Sequence, residues 1–390
     1  MLSRVRALPP YLLAEIDDLK WRLRREGRDV IDLCLGSPDL PAPRSAIAAL
    51  GAALEEPDVS RYMPSPGLPD LTQAVAAWYW RRFGIEVDSD REVAITLGSK
   101  EGIAHLMLAL LDPGEGALVP TPSYPVHHYG VLIAGGVPSF YPVGEGFDPV
   151  AEVRRALDAA SGASRPKLLV LNFPHNPTTA VCEARTLRDL FALAEANDLR
   201  VVSDIAYADL CFDGYAAPSL LGVPEARTRS VEFGTLSKGR SMAGWRVGFC
   251  VGNSELVDAL KGLKRYMDYG MFKPIQRAAA AALADDAYVT ELVSTYQYRR
   301  DALCAALEAA GWPAPKPRAT MFVWTRLPAG VGVSSLVFAR QLLEQVGVAV
   351  APGVTFGAAG EGFIRFGLIE SEPRLREAAA RIGDFLKRAV

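Results

Sequence analysis

Val231-Glu232-Phe233-Gly234-Thr235-Leu236-Ser237-Lys238 runs apolar into a lysine, and Ser241-Met242-Ala243-Gly244-Trp245-Arg246 places an arginine eight residues further on. A lysine amine attacks an aldehyde only when deprotonated, so its pKa must fall through desolvation or nearby positive charge. Arg246 supplies such a charge and stays protonated at any working pH, and its planar fork can take a phosphate through two hydrogen bonds. Thr235 and Ser237 add hydroxyls on the same turn. One short segment thus offers partners for both the aldehyde and the phosphate of a group such as pyridoxal 5'-phosphate (PLP).

Working outward, Val93-Ala94-Ile95-Thr96-Leu97-Gly98-Ser99-Lys100 passes from an expected strand through Gly98 and Ser99 into an expected helix. Unpaired N–H groups at a helix start, with a glycine that lets a ligand approach, make a phosphate cradle, although Gly-Ser is also a common helix cap. Asp204 closes the apolar strand Arg200 to Asp204. In an open parallel sheet ligands bind at the carboxyl ends of strands, and a carboxylate there can pair with a protonated pyridine nitrogen. The bland reading is a turn cap. Tyr207 and Asn176, the latter aimed by Pro177, can each reach a phenolic oxygen. Tyr124, between Pro122 and Pro125, suits a ring stacked on a planar cofactor or a loop aromatic packed on the core. Arg365 sits inside Phe363-Ile364-Arg365-Phe366-Gly367, where burial demands either an internal acid or a ligand carboxylate. Gly36 can offer a backbone N–H to the same carboxylate.

Composition narrows the class. A chain of 390 residues, half of them apolar, can bury a substantial core, and its net charge of −3 argues against nucleic acid as a main partner. Cys34, Cys182, Cys211, Cys250 and Cys304 form no C-x-x-C pair, which fits free thiols in a reducing compartment. His105, His127, His128 and His175 show no metal-ligand spacing, so no metal is expected. Arg4 and Arg6 are followed by Pro9-Pro10 and then Glu15, Asp17 and Asp18, which does not fit a signal peptide, and no apolar run reaches membrane-spanning length. The expectation is a cytoplasmic protein that contacts neither membrane nor nucleic acid.

Helical and extended patterns alternate through most of the chain, the pattern of an α/β protein with a mostly parallel sheet. Expected strands include Val93 to Leu97, Gly116 to Pro120, Val137 to Pro142, Leu168 to Asn172, Thr228 to Phe233 and Val247 to Val251. Pro274 to Gly311 reads as nearly all helical. After the stiff connector Pro313-Ala314-Pro315-Lys316-Pro317 comes an α+β pattern, with a strand at Met321 to Arg326 and a terminal helix.

Leu8-Pro9-Pro10-Tyr11, the run Gly98 to Leu106, Pro122-Ser123-Tyr124-Pro125 and Met242-Ala243-Gly244-Trp245-Arg246 occur in order and at family spacing. On these the chain resembles, over nearly its whole length, the class I/II aminotransferases of PLP fold type I. It looks nearest to the bacterial alanine aminotransferase and diaminopimelate-type branch. The resemblance implies a large PLP-binding α/β domain over 41–280, a small domain over 281–390, and residues 1–40 as an arm and the start of the small domain. It implies that Lys238 is the Schiff-base and proton-transfer residue, with Asp204 on the pyridine nitrogen, Tyr207 and Asn176 on the phenolic oxygen, and Tyr124 stacked on the ring. Gly98, Ser99, Lys100 (through its backbone N–H), Thr235, Ser237 and Arg246 would hold the phosphate, while Arg365, with Gly36 and Asn176, would bind the substrate carboxylate. Tyr62 matches a tyrosine that reaches the phosphate of the other subunit, which implies a homodimer.

The expected activity is transfer of an amino group between an L-amino acid, of alanine or glutamate type, and a 2-oxo acid. Three departures stand out: Gly239-Arg240-Ser241 after the lysine, Met271 where relatives carry Thr, and Thr179 where a glycine commonly follows Asn-Pro-Thr. Arg240 and Met271 motivate an alternative, PLP-dependent β- or γ-elimination or replacement. A transcription regulator of the same fold would need a DNA-binding domain and a basic region, and the sequence offers neither.

Overall fold

Leu168-Leu169-Val170-Leu171 is buried on both faces, as an interior strand of a parallel sheet must be. In the computed structural model, residue 8 and residues 12–63, 67–160 and 165–389 are described. Pro9-Pro10-Tyr11 and Pro64-Ser65-Pro66, both within stretches read above, lie outside them. The strands among the described residues, in chain order, are β1 (Ile31–Leu33), β2 (Val93–Thr96), β3 (Gly116–Thr121), β4 (Val137–Pro142), β5 (Pro166–Asn172), β6 (Arg200–Asp204), β7 (Ser230–Thr235), β8 (Gly248–Gly252), β9 (Phe322–Arg326), β10 (Val348–Pro352) and β11 (Phe363–Gly367).

Seven of them form one sheet in the order β2-β8-β7-β6-β5-β3-β4. The neighbours from β7 to β4 are parallel, and β8 runs antiparallel to both β7 and β2. The register pairs Asn172 with Asp204 and Asp204 with Phe233, so β5, β6 and β7 end together at one edge. Helices over both faces bury Ile103, Leu106 and Leu260 on one side and Leu187, Leu190 and Phe191 on the other. Each such side chain contributes about 1.5–3 kcal/mol relative to exposure. The fold class is the expected one, an α/β unit with a mostly parallel sheet and a smaller α+β unit.

The smaller sheet has the order β1-β10-β11-β9, with β1 parallel to β10 and the remaining pairs antiparallel. Its apolar face packs with Ile16, Leu19 and Leu23 of helix Leu12–Arg25 and with Tyr207, Leu210 and Phe212 of the segment after β6. That shared cluster brings Arg365, in the inner strand β11, up to the carboxyl edge of the large sheet. Helices Lys273–Leu283 and Asp286–Ala309 lead from one sheet to the other, the second capped by the Asp285 carboxylate accepting from Tyr288 N–H at 3.1 Å. The stretch read as nearly all helical is broken between them.

Candidate active site

Thr235 ends β7 and caps the single-turn helix Leu236–Gly239, its Oγ1 accepting from Ser237 N–H at 3.1 Å. That turn lifts Lys238 off the strand into a cavity of about 260 Å³. Its Nζ donates to the carbonyl of Gly36. Burial, then the positive charges of Arg365 and Arg246, pull the amine down from 10.5 to about 8, against the opposing carboxylate of Asp204. Gly239 follows by necessity: a Cβ there would come within 2.6 Å of Asp209 Oδ2.

Beside Lys238 lies the amino end of helix Ser99–Leu110, whose N-cap Gly98 has φ +82° and carries no capping side chain. The first N–H groups are thus left for an external acceptor. Arg246, itself at φ +57°, donates from Nη1 to Ala243 O at 3.0 Å and from Nη2 to Leu97 O at 3.1 Å. A Cβ on Gly98 would fall 2.3 Å from Nη2, and one on Gly248 would fall 2.5 Å from Ser99 N. Both glycines are therefore required for the helix start, the guanidinium and β8 to meet. Ser99, Lys100, Thr235, Ser237 and Arg246 all line the cavity. The Lys100 ammonium lies 5.7 Å over the Tyr124 ring.

At the other end, Asp204 is held on both oxygens. Oδ1 accepts from Ala206 N–H at 3.0 Å, and Oδ2 lies 3.0 Å from Nε2 of the fully buried His127. Asn172 Nδ2 donates to the Asp204 carbonyl at 2.9 Å while its Oδ1 accepts from Asn176 N–H at 3.0 Å, tying the ends of β5 and β6. The Asn176 Oδ1 in turn accepts from Arg365 Nη1 at 2.8 Å, which leaves Nδ2 as the amide arm able to donate to a ligand. Burial drives the Tyr207 phenol well above its ordinary value, so it stays protonated and able to donate. Arg365 is buried, donates to Cys34 O at 3.1 Å, and lies 3.9 Å and 4.6 Å over the rings of Phe322 and Phe356.

The cavity gathers Gly36, Ser99, Lys100, Tyr124, Asn176, Asp204, Tyr207, Thr235, Ser237, Lys238, Arg246 and Arg365 from segments more than three hundred residues apart. Gly98 lies behind Arg246 without lining it. Tyr62 stands apart, 87% exposed and edge-to-face with Tyr269 at 5.5 Å. Four contributors went unread in the sequence: His127, Asn172, Phe322 and Phe356. A faint signal existed for His127, one helical turn after Tyr124; Phe322 and Phe356 reach the site only through tertiary packing.

Arg240 and Met271 do not line the cavity. Arg240 is buried against Asp209 Oδ2 at 2.8 Å and Ala282 O at 2.8 Å, and Met271 is packed in the core beside helix Lys273–Leu283. One group with metal-ligand spacing exists among the described residues, Glu101, His105 and Asp268, but Lys264 Nζ stands between two of its members, 2.8 Å from Glu101 and 2.5 Å from Asp268. An ammonium already neutralises that cluster. All five cysteines are free thiols, and among the described residues no helix is long and apolar enough to cross a membrane.

The model of the class I and II aminotransferases matches residues 28–382. Glutamate-pyruvate aminotransferase AlaC of Escherichia coli (strain K12) is 44% identical over 378 residues, covering 96% of this chain and 91% of that protein. The LL-diaminopimelate aminotransferase of Desulforudis audaxviator is 42% identical over 391 residues, covering 100% of this chain and 98% of its own. Among solved structures, substrate-bound BacF of Bacillus subtilis superposes with a TM-score of 0.93 at 33% identity, over 99% of this chain and 97% of that one.

Proposed function

The chain belongs to the class I and II aminotransferases, and from that premise we propose which of its residues perform the transfer of an amino group between an amino acid and a 2-oxo acid. The family depends on PLP, and the donor set fits that group in this chain. One end offers hydroxyls, a guanidinium and an uncapped helix start for a phosphate, the other a carboxylate for a ring nitrogen, and Lys238 lies in the cavity they share. When bound, PLP supplies an aldehyde that captures an amine and a ring that takes up the electrons left on the substrate Cα.

The chain's residues supply the rest. Lys238 would hold the aldehyde and serve as the base that moves the substrate's Cα proton; an amine brought down to about 8 spends an appreciable share of its time as a base near neutral pH. Asp204, fixed by His127 and Ala206, would hold the ring nitrogen. Tyr207 and the Asn176 amide would serve the phenolic oxygen, and Tyr124 would hold the ring. Ser99, Lys100 N–H, Thr235, Ser237 and Arg246 take the phosphate, with Gly98 giving room for the guanidinium. Arg365, aided by Gly36 and Asn176, clamps the substrate carboxylate. The observation that carries this reading is the convergence of Lys238, Asp204, Arg246 and Arg365 on one cavity.

Alanine or glutamate as donor is supported by the name of the 44% identical relative. A homodimer is supported by the exposed aromatic patch of Tyr62, Tyr266, Tyr269 and Phe272, from which Tyr62 would reach the partner's phosphate end. The division into an arm and small-domain start (1–40), a large domain (41–280) and a small domain (281–390) belongs to the same reading, as does a cytoplasmic location. Elimination or replacement loses its motive in Arg240 and Met271, which lie outside the cavity. Mixing the PLP-loaded protein with single amino acids and following its absorbance should convert the cofactor to its aminated form with alanine or glutamate, one equivalent of 2-oxo acid appearing. Release of ammonia over many turnovers without an acceptor would overturn the assignment.

A further inference from the structure

We propose that Glu101 is a positioning residue that sets the phosphate end of the site through the backbone N–H and C=O of Leu97, with Lys264 as its obligatory counter-charge. The inference rests on the reading of Ser99 and Arg246 as the phosphate end. Glu101 stands in the first turn of helix Ser99–Leu110, where a carboxylate ordinarily satisfies the helix's own leading N–H groups. Here Oε2 instead reaches back past the cap and accepts from Leu97 N–H at 2.8 Å. The carbonyl of the same residue, in the next peptide plane, is also engaged: Leu97 O accepts from Arg246 Nη2 at 3.1 Å. The Leu97 N–H and C=O thus connect the Glu101 carboxylate to the guanidinium that faces the phosphate, across the glycine whose missing Cβ gives that guanidinium its place.

A carboxylate one turn from an anion cradle repels the anion unless it is neutralised. Lys264, 2% exposed at its side chain, supplies that charge at 2.8 Å from Oε1, and His105 Nδ1 lies 2.5 Å from the same oxygen. Lys264 is itself fixed by Asp268 at 2.5 Å, one residue before Tyr269, the ring that packs on Tyr62. The network therefore extends from Leu97 to the residue that precedes Tyr269. Glu101 touches neither cofactor nor substrate and acts only through Leu97 and Arg246.

The test compares ligands with and without the phosphate. Cofactor-free wild type, Glu101→Met, Glu101→Gln, Lys264→Met, the Glu101→Met/Lys264→Met double variant and Arg246→Ala are titrated with PLP, with pyridoxal and with inorganic phosphate, and thermal melts monitor the fold. Glu101→Met, which leaves Leu97 N–H without its acceptor, should weaken PLP by about tenfold while pyridoxal changes less than about twofold. Glu101→Gln, whose amide oxygen can still accept from Leu97 N–H, should lie nearer wild type. Inorganic phosphate should weaken in step with PLP. Lys264→Met should weaken PLP further by leaving a bare carboxylate, and the double variant should recover part of that loss, a coupling that independent sites do not show. Turnover of the Glu101 and Lys264 variants at saturating PLP should stay near wild type. Equal losses for PLP and pyridoxal in Glu101→Met, or no loss for PLP, overturn the proposal. If Arg246→Ala also leaves the PLP-to-pyridoxal ratio unchanged, the phosphate assignment itself falls; if Arg246→Ala collapses that ratio and Glu101→Met does not, only the role of Glu101 falls.

Discussion

Nε2 of His127 lies 3.0 Å from Oδ2 of Asp204, both groups buried and the second oxygen already taken by a backbone N–H. A carboxylate fixed in this way presents an ion of set direction to a ring nitrogen. Asp204→Ala should lower the rate of the half-reaction with an amino acid by about three orders of magnitude or more, because the ring loses its electron sink. His127→Phe removes one donor to a charged acceptor and should slow it by about 10–100-fold. Stopped-flow absorbance measures both, and a His127 variant as slow as Asp204→Ala would show that the imidazole does more than orient.

The Lys238 amine is lowered from 10.5 to about 8, so in the cofactor-free protein the protonated form is the penalised one. A base whose folded pKa is depressed carries its full stability penalty below about pH 8, and the penalty is relieved as pH rises toward 10.5. Lys238→Met should therefore melt above the cofactor-free wild type at pH 7, with the gap closing at high pH; a gap that widened with pH would contradict the assignment. For the same reason capture of PLP should accelerate about tenfold per pH unit below 8 and level off above it. Borohydride reduction of the loaded wild type should fix the label on the peptide containing Lys238.

Much of this was legible residue by residue, and the limits have physical causes. The apolar run ending in Asp204 marks a strand of a parallel sheet, and a polar residue at the end of such a run is conspicuous against its own context, whereas Asn172, at the end of a similar run, gains its role only from the register that sets it beside Asp204. Arg365 was conspicuous for the same reason, a charge inside a buried strand. His127, by contrast, sits in a helix among apolar neighbours, and only the alignment of the β5 and β6 ends with that helix gives it a partner. Phe322 and Phe356 look like ordinary core residues until the small sheet carries them over the Arg365 guanidinium. Arg240 misled in the opposite direction: close to Lys238 in sequence, its side chain is taken up by Asp209 and by Ala282 O and does not line the cavity.

Arg365 is buried between two rings and hydrogen-bonded to Asn176 and Cys34, so its guanidinium plane is fixed before any substrate arrives. Lysine keeps the charge and loses the plane. Arg365→Lys should raise the KM for the amino donor by about two orders of magnitude with a smaller fall in kcat, and Arg365→Gln should do no better. Steady-state kinetics with alanine and with a simple amine distinguish the outcomes. An equal loss for the amine, which has no carboxylate, would remove Arg365 from substrate recognition.

Gly239 and Arg240 form one structural unit with Asp209. Asp209 Oδ2 occupies the space a Cβ at Gly239 would need and pairs with Arg240 Nη1 at 2.8 Å, while Arg240 Nε donates to Ala282 O near the end of helix Lys273–Leu283. Removing Arg240 leaves the Asp209 carboxylate with only Arg82 Nε, 3.8 Å from Oδ1, so Arg240→Leu should destabilise the fold by about 2 kcal/mol. Asp209→Asn should be milder, since an amide still accepts a hydrogen bond from the guanidinium. Combining Arg240→Leu with Asp209→Leu should recover much of the loss, as two apolar groups replace two ions. Urea denaturation reads these differences. Because Arg240 lies outside the cavity, the single variant at a temperature where it remains folded should keep the order of preference among amino donors; a changed order would place Arg240 in substrate selection and restore the motive for a different reaction.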